Sequence, residues 1–377
     1  MDKKYRTFLR NYYLASSLFD FVFAYAIYNV YFKIRGLSIF EISILLALWS
    51  FFALVFEVPS GALADYWSRK KLLIIAPLIK ALCFLIWFYA DGNFYIYASG
   101  FLIWSLGGSF KSGTTEAILY DTLVSFDKKE EYEKILGRKK FYYFIALGIS
   151  FVSGGFIAQY NIDYAILFSM PPLILSSFFA TRLIEAPRSN QTERTKYSEY
   201  LRTALNEVKS SKVLQYLFVY FLVIYIIWDI EEYDQLYYHF VGLPFYAFGI
   251  FGLICSLLNS MGSLFAYKLK DHTSSFFWLP LFSSATLMMV GLFPSVPMIA
   301  ALLLSYLFIS TVQVLTESKI QHNIKSDSRA TVTSLQKLFC DLIGIFLLLI
   351  FGLISKIWCM LGIYILTRAS CKKFSFS

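Results

Sequence analysis

Charge is what this sequence has least of. Asp, Glu, Lys and Arg make up 16% of its 377 residues, against about 25% in a soluble domain, while 58% of its residues are hydrophobic. So few charges cannot cover the surface of a soluble protein of this size. That excludes a soluble enzyme, a disordered chain and a secreted disulfide scaffold. Histidine is nearly absent too: His239, His272 and His322 stand apart, at or near the ends of apolar runs. The five cysteines (Cys83, Cys255, Cys340, Cys359 and Cys371) form no C-x-x-C pair, and most sit inside apolar runs. Neither a metal site nor a disulfide framework is expected from them. No G-x-x-x-x-G-K-[ST] stretch is present to cradle a nucleotide, and no H-E-x-x-H to hold zinc. With no clustered polar site either, the chain reads as no enzyme, with no cofactor.

What is present is a succession of apolar runs near the length of about 20 residues that a helix needs to cross a bilayer. They fall at about 12–32, 39–64, 72–90, 94–120, 139–160, 163–184, 213–233, 243–268, 274–293, 297–317, 330–354 and 357–368. The last is short, with only ten residues between Ile357 and Leu366, so it is either a thinned crossing or an early end. The runs are unbroken rather than alternating, which excludes a transmembrane β-barrel. The expectation is an all-α membrane protein.

The net charge of +9 sits in loops, so it reads as topology and not as nucleic-acid binding. With the N-terminus cytoplasmic, 28 Lys and Arg lie on the inner side against 3 outside, with Lys80, Lys111 and Lys337 inside spans. Both termini are then cytoplasmic. The opening MDKKYRTFLR leads into a long apolar run without a small-residue cleavage site, and reads as a retained first helix. The polar stretch 185–212 divides the spans six and six, giving an N-terminal bundle over 1–185, a linker over 186–212 and a C-terminal bundle over 213–377. From Tyr197 the linker has the pattern of an amphipathic surface helix.

The halves resemble each other. At an offset of 206, Tyr31, Gly36, Leu37 and Asp65 fall on Tyr237, Gly242, Leu243 and Asp271; Thr115-Glu116 resembles Thr316-Glu317, and Arg138 resembles Arg329. The same order in the same topology points to duplication, an architecture that transporters use.

After the second span the sequence reads Gly61-Ala62-Leu63-Ala64-Asp65-Tyr66-Trp67-Ser68-Arg69-Lys70-Lys71. This resembles the G-x-L-A-D-x-x-G-R-R/K-x loop motif of the major facilitator superfamily, at the expected place between spans two and three. It departs at Ser68, where glycine is usual, which predicts a less tight turn. The resemblance implies two six-helix bundles around a central cavity, lined by spans one, four, seven and ten, and commonly a monomer. It implies a gating role for Gly61, Asp65, Arg69, Lys70 and Asp121. Gly61 is a small residue of the kind that lets helices approach closely. Asp65 lies within reach of Arg69, and Asp121, at the same face, can pair with Arg69 or Lys70. The alternative is a solvated loop that only sets topology. The stretch Ser112–Asp121 looks like a fourth-span signature of some bacterial members.

A charge at mid-bilayer costs at least about 2.5–3.5 kcal/mol, so it faces a cavity or a partner. Asp20, near the middle of span one, is a candidate proton or cation site, or a buried acid bonded to a neighbouring helix. Lys111, at similar depth in span four, neutralises Asp20 or faces an anionic substrate. Glu57 and Glu116 lie just inside the inner face; Glu116 is a candidate proton carrier, whereas Glu57 more readily braces the gate. Lys337 and Asp341, four apart, share a helix face and form an internal ion pair or a switchable one. Gln313 and Glu317 are expected on the same cavity. Asp229, Glu231, Glu232 and Asp234 crowd the outer end of span seven, as a hydrated loop or an acidic mouth. Lys80 is expected to snorkel from a lipid-facing span. Trp104, Tyr225 and Trp228 lie on cavity-type spans.

The expected function is secondary active transport by alternating access. The preferred form is proton-coupled efflux of a small amphipathic or cationic organic compound. Uptake of a small nutrient such as a sugar, vitamin or metabolite is the second reading, and a non-transporting membrane sensor the third. The expected partners are the substrate, protons and the lipid bilayer; the expected place is the bacterial cytoplasmic membrane.

Overall fold

The computed structural model describes residues 3–112, 114–186, 205–206, 208–269, 272, 274–323, 332 and 335–355. Outside them lie Asp271, Arg329, Cys359, Cys371, the twelfth expected span and most of the expected surface helix after Tyr197; the Asp65 side chain is not described either.

The first helices are α1 (Lys3–Leu18), α2 (Tyr28–Ile34), α3 (Ile39–Tyr66), α4 (Arg69–Phe88), α5 (Phe94–Lys111) and α6 (Thr114–Ser125). They are followed by α7 (Tyr132–Tyr160), α8 (Ile162–Leu167) and α9 (Met170–Thr181). The second group is α10 (Lys212–Trp228), α11 (Asp234–Phe240), α12 (Phe245–Leu269), α13 (Ser275–Leu292), α14 (Met298–Asn323) and α15 (Leu335–Ser355). Nine helices among the described residues are long and apolar enough to cross a membrane. Two further expected spans are each broken: the first into α1 and α2, the fourth into α5 and α6. The breaks explain why these two spans are not single membrane-length helices.

Local chemistry sets the helix starts. Gly36, at φ +98°, turns the chain in a conformation that L side chains rarely adopt. Ser38 then caps α3 in a reciprocal box with Glu41. Gly242, its counterpart in the repeat, has φ +82°. Asn93 caps α5 by accepting from the Tyr95 and Ile96 amides.

The repeat is visible in the backbone. A 3-10 turn at Phe23–Ala26 interrupts the first span, and one at Asp229–Tyr233 interrupts the seventh. Their starts are separated by the same 206 residues that relate the sequence motifs. The first break is held from outside: the Ser169 hydroxyl accepts from the Ala24 amide at 2.9 Å. The Phe23 carbonyl presses on Gly154, where a Cβ would come within 2.1 Å of it.

Helices before the linker pack on one another, with α4 against α5 and α9, and α3 against α5; after it, α14 packs against α12, α13 and α10. The two groups meet along α7 and α12. There Gly155 lies under the Phe245 carbonyl and Gly249 under the Phe151 carbonyl. A Cβ on either glycine would come within 2.7 and 2.1 Å, respectively, of that carbonyl oxygen. Only glycine allows this approach, the small-residue packing that membrane helices use. Large apolar side chains such as Leu264, Met288 and Phe346 remain exposed on the outer faces, as a surface solvated by lipid requires.

Candidate functional site

A cavity lies between the two groups of helices, in two adjoining lobes that share Trp49, Trp104, Gly108, Glu231 and Glu232. One lobe holds about 500 Å³. The other, about 400 Å³, reaches Glu57, Lys337 and Asp341, toward the end of the bundle where α1, α10 and α15 begin. Both volumes fall in the range of small-molecule sites.

The first wall is built on the break after α1. Asp20 sits where the helix has stopped, and two lysines converge on its carboxylate. Lys111 Nζ lies 2.5 Å from one oxygen and Lys80 Nζ 3.0 Å from the other. Lys80 also donates to the Phe19 carbonyl at 3.0 Å and to the Tyr25 hydroxyl at 2.7 Å. Its ammonium stands 4.2 Å from the Phe19 ring centroid, as does that of Lys111. The expected Asp20–Lys111 pairing is present. The expected snorkelling of Lys80 is not: its side chain is 1% exposed. Its α4 face turns inward, and a buried ammonium needs a carboxylate more than it needs water.

The second wall is the break after α10. Asp229, Glu231 and Glu232 form the 3-10 turn itself, and Asp234 opens α11. The expectation of a hydrated loop at the outer end of the span is overturned. The helix runs on through Phe240, which places Glu231 nine residues from its end, about 14 Å at 1.5 Å per residue. Glu232 accepts from the Tyr28 hydroxyl at 2.5 Å; Asp234 accepts from Tyr306 at 2.6 Å and Tyr238 at 3.3 Å. None of the four carboxylates has a lysine or arginine within ion-pair distance among the described residues. Trp104, Tyr225 and Trp228, placed on cavity-type spans by sequence, complete the lining, and Trp49 of α3 joins them.

The two walls are tied together by hydrogen bonds to backbone at one end. Gln235 Oε1 accepts from the Asn29 amide at 3.0 Å, and its Nε2 donates to the Tyr25 carbonyl at 2.9 Å. Asn29 Nδ2 donates to the Glu232 carbonyl at 2.6 Å. Asn29 and Gln235 are themselves 206 apart, so the seam joins equivalent positions of the repeat. Beyond them the Ser43 and Tyr233 hydroxyls meet at 2.9 Å. At the opposite end the cross-contact is Lys337 to Glu57 at 3.4 Å, with side chains 60% and 47% exposed. Lys337 therefore pairs with Glu57 and not with Asp341, because it reaches across to α3 and not along its own helix.

The loop motif is partly as expected. Arg69 pairs with Asp121, while Lys70 stands partly exposed at the start of α4. Ser68 replaces the usual glycine with a function of its own: it caps α4 by accepting from the Lys71 amide at 3.1 Å and donates to Glu185. Glu185 also accepts from the Arg69 amide at 2.7 Å, a tie with no local sequence signal. Gly61 makes no close approach; a Cβ there would meet nothing within 4 Å. Glu116 pairs with Lys139 of α7. Gln313 and Glu317 contact each other at 3.4 Å but line neither lobe, so their expected place on the cavity is corrected.

The family model for the Major Facilitator Superfamily matches residues 12–366. No curated protein sequence matches the chain. Among solved structures, a bacterial homolog of the human lysosomal transporter Spinster, in an inward-facing and unoccupied conformation, superposes with TM-score 0.78 at 14% identity, covering 100% of this chain and 87% of that one. A mutant of the nucleoside transporter NupG gives TM-score 0.75 at 12% identity, with 100% of both chains covered. A D-xylose–proton symporter gives TM-score 0.63 at 15% identity, covering 93% and 90%.

Proposed function

The chain belongs to the major facilitator superfamily, and from that premise we propose that it exports small cationic or amphipathic organic compounds in exchange for protons. The observation that carries this is the acidic second wall. Four carboxylates line or adjoin an aromatic cavity, and among the described residues none of them has a lysine or arginine within ion-pair distance. An uncompensated charge buried at this depth costs several kcal/mol, so each carboxylate takes a counter-charge from outside the fold. A proton supplies one and an organic cation another, and the tryptophans offer the cation their ring faces. Because both compete for the same oxygens, entry of one displaces the other, which is the physical basis of exchange.

The units that move are residues 1–185 and 213–377, joined by 186–212. With both termini cytoplasmic, the lobe bounded by Glu57 and Lys337 opens inward, and the Asn29–Gln235 seam closes the outer side. In the opposite state the seam parts and the Gly61 end of α3 packs against the other bundle. Arg69 and Asp121 brace that end throughout. Asp20 has its charge already met by Lys80 and Lys111, so Glu231 and its neighbours carry the proton first, with Glu116 and Asp341 as further candidates.

The test is flux in proteoliposomes under an imposed pH gradient, with ethidium as the cation and xylose and a nucleoside as neutral solutes. Gradient-driven ethidium movement, slowed at least tenfold by Glu231→Gln, supports the proposal. Movement of a neutral solute down the proton gradient without ethidium replaces it with nutrient uptake. No movement of any solute favours the sensor.

A further inference from the structure

We propose that the preferred substrate is a zwitterion, its anionic group bound by Lys111 and its cationic group by Glu231. This rests on the transport reading above and narrows its substrate class. The two walls carry surplus charge of opposite sign. Two lysines share one carboxylate on the first, which leaves one positive charge over. The second has carboxylates only. Both walls face the same lobe, yet among the described residues no ion pair joins Lys80 or Lys111 to Glu231, Glu232 or Asp234.

Rigid aromatic groups keep the poles apart. Tyr25 stacks on Trp104 at 5.6 Å and Tyr28 meets the same ring edge-on at 5.9 Å. Tyr25 is bonded to Lys80 and Tyr28 to Glu232. The walls therefore cannot neutralise each other without displacing this stack. A ligand that spans the lobe neutralises both at once.

The free valences single out two residues. Lys80 has three N–H donors, and all three are taken, by Phe19, Asp20 and Tyr25. Lys111 gives one to Asp20 and, among the described residues, has two left to offer an anion. On the other wall, Glu232 is held by Tyr28 and Asp234 by Tyr306 and Tyr238. No hydrogen bond or ion pair among the described residues reaches the Glu231 carboxylate. A cation alone leaves the first wall's surplus unmet, and an anion alone leaves the second's.

The experiment compares matched probes on the full chain in nanodiscs: tryptamine, L-tryptophan and indole-3-propionate, with phenethylamine, L-phenylalanine and 3-phenylpropionate as a second set. Binding is read by thermal stabilisation. The amino acids are expected to half-saturate at concentrations at least tenfold below the amines. Lys111→Gln removes that advantage, and a cooperative melting transition without ligand shows that the variant is folded; Lys111→Arg keeps the advantage. Equal binding of amine and amino acid by the unaltered protein overturns the zwitterion inference and leaves cation transport standing. Binding of the acids without the amines, or of no probe, overturns both.

Discussion

The break at Phe23–Ala26 and the break at Asp229–Tyr233 occupy matching places in the two halves, yet they treat charge in opposite ways. Beside the first, Asp20 is enclosed by Lys80, Lys111 and Tyr25. Beside the second, a row of acids has tyrosine hydroxyls for partners and, among the described residues, no cation. The two halves share the backbone device, an interrupted helix, while the side chains around it differ. A region whose charges are met internally holds the fold; a region whose charges are unmet must recruit something.

The strongest way to break this comparison is to neutralise one acid in each half. Asp20→Asn leaves two ammonium groups facing each other in a buried site. Removing one partner of a buried pair costs about 3–5 kcal/mol, so a large fall in thermal stability is expected in detergent. Glu231→Gln removes a charge that has no cation beside it, and thermal stability is expected to hold or rise while transport is lost. Equal destabilisation by the two variants would mean that the acidic row is matched after all.

The fold was legible because hydropathy reports span length, a property of the chain one residue at a time. Depth was legible too, which is how Asp20 and Lys111 were brought together. Direction around the helix was not. Lys80 and Lys111 have the same chemistry in sequence, and only the packing of α4 against its neighbours turns Lys80 inward. The acids at 229–234 failed for another reason. Four carboxylates in six residues read as the end of a span, since a helix facing lipid tolerates no such run; a helix facing a cavity does. Glu185 and the Asn29–Gln235 seam join residues far apart in sequence and carry no local signature. The repeat offset relates Asn29 to Gln235, but an offset in sequence does not by itself signal contact.

A smaller effect is expected at the seam itself, where the two breaks touch. Gln235→Ala withdraws the acceptor of the Asn29 amide and the donor to the Tyr25 carbonyl. Leaving buried backbone groups unpaired costs about 1–3 kcal/mol each, here charged only to the state in which the seam is closed. In a chain lacking its native cysteines, Ser43→Cys lies buried at that end and reports opening by its rate of maleimide labelling. Gln235→Ala is expected to raise that rate by about fivefold to a hundredfold. An unchanged rate would show that the remaining cross-contacts, the α7–α12 glycines and the Asn29–Glu232 bond among them, close this side without Gln235.

The smallest effect belongs to the cross-contact at the opposite end. Lys337 and Glu57 are both more than two-fifths exposed and lie 3.4 Å apart. Exposed pairs of this kind contribute about 0–1 kcal/mol, and salt screens them. Glu57→Gln is therefore expected to leave the melting temperature within about 2 °C of the unaltered protein, and to leave flux within about twofold, at physiological salt. This contrasts with the seam, where the bonds are partly buried and run to backbone. If Glu57→Gln instead slowed flux as much as Glu231→Gln, the Lys337 contact would belong to the working site, and the division between a sealed end and a solvated one would have to be drawn closer to the centre of the cavity.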